Sequence, residues 1–233
     1  MLRPQLALTL LLAACCTLAS AQASKTLPHA CTVGPCIFYN GDFNVNDSTH
    51  AQGFANENTL LVPSTFSYGA VGVVSNSGVT ILGIFTNNQA VSYDNIDPAT
   101  ANWEIRRNMD STGGTLVASG SAAAQWTYTG RSSNGSKEYE LLVPVTPRVH
   151  LGGGKYWFAA QPQCTNSGNP NCGSAQYFLS NTTAPYSNFI VDLNLVHPIP
   201  FQVWTESGGQ YFYDCPSGQR PACNFVSYGL IGK

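Results

Sequence analysis

The sequence predicts an all-β fold, a two-sheet antiparallel sandwich of jelly-roll type with disulfide-stapled loops. Three observations lead there. Short apolar runs, many alternating with period two, recur along the chain between Gly, Pro, Asn and Asp clusters. No window sustains an apolar period of 3.6 residues, so no helix of three or more turns is expected. Beyond the first twenty residues, the cysteines fall into three pairs of near neighbours.

The chain opens with an export signal. Arg3 precedes an apolar run over residues 6–14 that is too short to span a bilayer, and Ala19-Ser20-Ala21 matches a cleavage site. Residues 1–21 are therefore predicted to be a signal peptide and 22–233 a single domain, secreted or periplasmic. Leu12-Ala13-Ala14-Cys15 also fits a bacterial lipobox, so lipid anchoring at Cys15 is the alternative. No later segment is long and apolar enough for a membrane span.

Residues 37–39 form a first strand, closed by the Asn40-Gly41 turn signal. Strands are expected at 60–64 and 66–74. Residues 79–85 are apolar on both faces, which marks a covered central strand. Asp94-Asn95-Ile96-Asp97-Pro98 is a turn whose Asp and Asn side chains bond their own backbone, a simpler reading than a Ca²⁺ loop. In 103–106, Trp103 and Ile105 face inward while Glu104 and Arg106 face solvent as an exposed ion pair. Strands follow at 115–118, 125–129 and 138–145. In the last of these Tyr139, Leu141, Val143 and Val145 form the core face, Glu138 and Glu140 a solvated one, and Pro144 marks an edge or a bulge. Gly152-Gly153-Gly154 turns the chain into 156–160. Further strands are expected at 176–179, 189–196, 201–205, 210–213 and 225–230, giving roughly ten to twelve in all.

Composition narrows the partners. Charged residues are 9% of the chain, against roughly 25% in an average globular protein. A net charge of −2 without a basic cluster argues against nucleic acid. The pairs Cys31/Cys36, Cys164/Cys172 and Cys215/Cys223 enclose short loops, so local disulfides are the economical pairing among the 15 possible. No Cys-x-x-Cys occurs and no His lies beside a pair, so neither a metal nor a cofactor is expected.

Several motifs keep a fixed order: Trp103-Glu104-Ile105-Arg106, then Gly114-Thr115-Leu116-Val117-Ala118-Ser119-Gly120, Thr129-Gly130-Arg131-Ser132, Glu138-Tyr139 and Gly154-Lys155-Tyr156-Trp157. The stretch over 102–160 resembles a group of exported bacterial β-sandwich proteins with W-x-I-R, G-T-x-x-A-S-G, T-G-R-S and G-x-Y-W strand motifs. The resemblance implies a secreted bacterial β-sandwich and no particular activity. Gly153 stands where that group has proline.

For chemistry, the strand-borne carboxylates Asp94, Asp97, Glu104, Glu138, Glu140, Asp192 and Glu206 are candidates for a hydrolytic pair. Spacing alone sets no two of them across a cleft, and solvated strand charges are the simpler reading. No nucleophile elbow is present. Gly152-Gly153-Gly154-Lys155 lacks the ends of a phosphate loop and precedes a strand. The aromatics point to an extracellular glycan as partner, because sugar rings stack on Trp and Tyr. Trp126 and Tyr128 share a face between polar neighbours, as do Tyr211 and Tyr213. A hairpin across Glu206-Ser207-Gly208-Gly209 would bring Trp204 beside them. The sequence therefore leads to an exported non-enzymatic binding or surface-associated module, with carbohydrate as ligand. An extracellular polysaccharide hydrolase and a structural envelope or matrix protein are the alternatives.

Overall fold

The computed structural model describes residues 27–42, 54–59, 64–74, 76, 78–91, 98–133, 135–164, 176–182, 190–199, 202–213 and 225–233. The expected signal peptide, the strand at 60–64 and the turn at 94–97 lie outside them, wholly or in large part. A one-turn helix, α1 (Ala30–Val33), precedes the strands β1 (Cys36–Tyr39), β2 (Phe54–Ala55), β3 (Asn58–Thr59), β4 (Thr65–Val73), β5 (Val79–Val91) and β6 (Thr100–Arg107). Next come β7 (Thr115–Ala123), β8 (Gln125–Ser133), β9 (Ser136–Leu151), β10 (Gly154–Cys164), β11 (Gln176–Leu179) and β12 (Asn181–Thr182). The chain ends with β13 (Ile190–Val191), β14 (Val196–Pro198), β15 (Trp204–Ser207), β16 (Gln210–Tyr213), β17 (Phe225–Val226) and β18 (Tyr228–Gly232).

Two eight-stranded sheets face each other, and β12 pairs with β17 apart from them. In the first sheet β5 is central, as its two apolar faces predict. It pairs with β9 along one edge and with β18 and β11 along the other, while β8 borders β9 and β1 borders β18. In the second sheet β10 lies between β4 and β6, with β7 beyond β6 and the β15–β16 hairpin beyond β4. All of these pairs are antiparallel; β3 alone runs parallel to β10.

Alternation sets the core. Ala101, Trp103 and Ile105 of β6 meet Leu141, Val143 and Val145 of β9, with Ile81 and Ile84 of β5, in one cluster between the sheets. Pro144 sits at a bulge, where Gly83 pairs with Pro144 but Ile81 pairs with Val149. β8 has ended by then, so its missing N–H costs the ladder nothing.

The run expected as one strand over 189–196 is broken. Asp192 accepts hydrogen bonds from the Asn194 N–H at its side chain (3.0 Å) and from Leu195 N–H at its carbonyl (2.9 Å), making a turn between β13 and β14. Cys31 and Cys36 are disulfide-bonded across 4.9 Å between Cα atoms. Cys164 is also disulfide-bonded, to a cysteine outside the described residues, where Cys172, Cys215 and Cys223 all lie. Among the described residues no helix is long and apolar enough to cross a membrane.

Candidate functional site

The face of β9 expected to be wet is buried. Glu138 is 0% and Glu140 3% exposed, because residues 27–36 fold across the outer face of the first sheet. The Cys31–Cys36 loop packs there with Tyr39, Phe85, Leu142 and Ile231. Glu140 accepts a hydrogen bond from the Ala30 N–H (2.7 Å), and His29 Nδ1 lies 3.7 Å from the same carboxylate. Burial, only partly offset by backbone N–H groups, raises the Glu140 carboxyl from 4.5 to about 7.

Beside Glu140 runs a fixed polar chain. Arg131 Nε donates to Glu138, and its Nη1 lies 2.9 Å from Asp42. Asp42 also accepts from the Tyr39 hydroxyl, which in turn accepts from Asn87 Nδ2 (3.1 Å). Thr129 Oγ1 donates to Glu138 at 2.9 Å. Burial first, then the Asp42 charge, pushes the Tyr39 hydroxyl well above its usual range. One oxygen of Glu138 and the amide nitrogen of Gln89, its cross-strand neighbour, are buried without a hydrogen-bond partner.

Local backbone puts Arg131 here. The β8–β9 register shifts between Tyr128 and Ser132, and Gly130 adopts φ 84°, a conformation side chains other than glycine's rarely take. The bulge redirects the strand so that the guanidinium reaches Glu138 and Asp42. Around these groups opens a cleft of about 330 Å³, lined by His29, Thr32, Asp42, Thr129, Arg131 and Glu140 among others.

The sequence-predicted aromatics sit elsewhere. Trp126 is half-buried core, stacked on Tyr139 (5.0 Å, 8°) and edge-on to Tyr177. Tyr128 borders the cleft with its strand, but its ring packs toward Tyr139 on the other face (5.5 Å) and is 47% exposed. The β15–β16 hairpin forms as expected and pairs Trp204 with Tyr213, their rings 5.3 Å apart but tilted by 41°. Trp204 and Tyr211 are half-buried against Phe66, Tyr68 and Trp157, so these rings make a packed outer layer, not a flat platform. The most exposed ring of the hairpin is Phe212, at 50%.

The Glu104–Arg106 pair, expected to be exposed, is largely buried in that layer. The two groups are 2.6 Å apart, and Tyr68 Oη donates to Glu104 at 2.8 Å. Arg106 also lies 5.0 Å from the centre of the Tyr211 ring and donates to the Gly113 carbonyl (3.1 Å). The turn after β6 closes this side. Tyr211 lies where a Gly113 side chain would stand, and Met109 is buried beneath.

Sequence reasoning missed Asp42, Arg131 and His29 as members of one site. Glu140 meets Ala30 across 110 residues of chain, and no local pattern encodes that contact. A partial signal existed in Thr129-Gly130-Arg131, a glycine break carrying a cation beside a strand with two carboxylates. Among the described residues no group of three or more His, Cys, Asp or Glu side chains could hold a metal ion. No protein-family model matches this chain, and no curated protein and no solved structure matches it either.

Proposed function

We propose that this chain is an exported, non-enzymatic binding module and that its ligand is a carbohydrate held in the cleft beside Glu140. One observation carries the reading. The cleft is lined by a guanidinium, two carboxylates, an imidazole and threonine hydroxyls, several already fixed by hydrogen bonds to buried neighbours. Sugar hydroxyls both donate and accept, and such prepositioned partners hold them at little ordering cost. The disulfide suits an oxidising compartment, where extracellular glycans are met.

The test is calorimetric titration of the oxidised chain with a panel of soluble polysaccharides and oligosaccharides, alongside His29→Ala, which alters the exposed wall of the cleft. Saturable binding to one glycan class, weakened at least about tenfold in a folded variant, is expected; that loss corresponds to about 1.4 kcal/mol. Silence toward the whole panel from folded protein would end the glycan reading and leave a structural envelope or matrix role.

A second reading, polysaccharide hydrolysis, has its own observation. Glu140 holds its proton up to about pH 7 and shares the cleft with Asp42, as an acid and a second carboxylate would. Reducing ends released by the wild type and not by Glu140→Gln would establish it.

A further inference from the structure

The polar cleft does not end at Glu140. A second cavity of about 320 Å³ adjoins it, lined by Val33, Pro35, Leu82, Leu142, Pro144 and Ile231, with Gln125 at its floor. The ladder fixes how the two are related. Gln125 pairs with Leu142, and Thr127 pairs with Glu140, so the apolar floor pair and the polar floor pair are successive positions on one face. They lie roughly 7 Å apart along the strands. The opposite wall is equally continuous, because Thr32 borders the polar cavity and Val33 the apolar one. Together they form one trough between α1 and the β8–β9 hairpin, polar at one end and apolar at the other.

We infer that the ligand is amphipathic: a glycoside or acylated sugar whose polar head occupies the Glu140 end and whose alkyl, acyl or aryl group covers the Leu142 end. The inference rests on the glycan reading of the same trough and adds the chemistry of the substituent. A free sugar would leave the Val33 wall, 56% exposed, and the Leu142 and Ile231 surfaces in water. An apolar substituent on the head group reaches them directly and gains from every methylene it buries. Hydroxyls at that end would meet Pro35, Leu82 and Pro144, which offer no side-chain partner.

The test compares methyl and octyl glycosides of glucose, galactose and N-acetylglucosamine by calorimetry, below micelle-forming concentrations. It uses the wild type and Val33→Asp, a surface change that puts a charge in the apolar wall. The octyl form of at least one sugar should bind at least about tenfold tighter than its methyl form, the gain of burying about two methylenes. Val33→Asp should remove that gain and leave methyl glycoside binding unchanged. Equal affinities for methyl and octyl forms would overturn the amphipathic inference while keeping the glycan reading. An octyl ether of a short ethylene glycol chain binding as tightly as the octyl glycosides would remove the sugar from both. No binding of any probe by folded protein would overturn both together.

Discussion

The two outer faces of this sandwich carry the same chemistry in different settings. On the second sheet Arg106, Glu104 and Tyr68 form a closed cluster under Tyr211, beside the turn that follows β6. On the first sheet Arg131, Glu138, Asp42 and Tyr39 form a comparable cluster, but it borders an open cleft. The cover makes the difference. Residues 109 and 113, next to β6 in the chain, close the first cluster and leave it a structural part. A segment more than a hundred residues away from β9 covers the second incompletely, and the gap it leaves can admit a ligand.

Breaking the open cluster should cost most. Arg131→Met leaves the fully buried Glu138 carboxylate without its guanidinium, and the loss is expected to be about 3–5 kcal/mol. Denaturant unfolding measures it, and a loss under about 1 kcal/mol would mean that water already reaches Glu138.

The next contrast lies in pH. Burial raises both Glu140, at the cleft, and Glu57, inside the fold, from 4.5 to about 7. Each binds its proton more tightly folded than unfolded, so its stabilisation is complete below the unfolded value and is lost as pH rises through the folded one. Stability should therefore fall between about pH 4.5 and 7, with Glu140→Gln and Glu57→Gln each removing about half of the slope. Thermal melts across that window, showing a flat profile or one rising with pH, would contradict it.

Opening the closed cluster should cost less. Arg106→Met removes the Glu104 pair and the contact with Tyr211, but Tyr68 still donates to Glu104. About 1–2 kcal/mol is expected. Glycan affinity, measured alongside, should not move, and a variant that lost binding would shift the site to the second face. Smallest of all, Phe212→Ser on the exposed side of β16 should change stability by less than about 0.5 kcal/mol. A larger loss in a melting experiment would show Phe212 to be covered.

Legibility followed the range of the interactions. Val79 to Phe85 could be read as a central strand because both faces are apolar, and Trp103 and Ile105 as core because alternation is local. The β15–β16 hairpin was legible from Gly208-Gly209, whose φ values of 59° and 83° suit its turn. Alternation also assigned Glu104, Glu138 and Glu140 correctly to outer faces, and the inference failed at the next step. An outer face is wet only if nothing folds over it, and what covers β9 is encoded at the opposite end of the domain.

By itself, then, the sequence determined the sandwich, the central place of β5, the inward face of each long strand and the local Cys31–Cys36 bridge. These depend on period-two patterning, turn residues and near neighbours in the chain. Only the tertiary structure decided which of two similar Arg–Glu–Tyr clusters is sealed and which opens on a trough. It also turned Trp204 and Tyr213 into packing and set Leu142 beside Glu140 under α1. Those outcomes depend on how one segment lies across another, and strand periodicity carries no information about that.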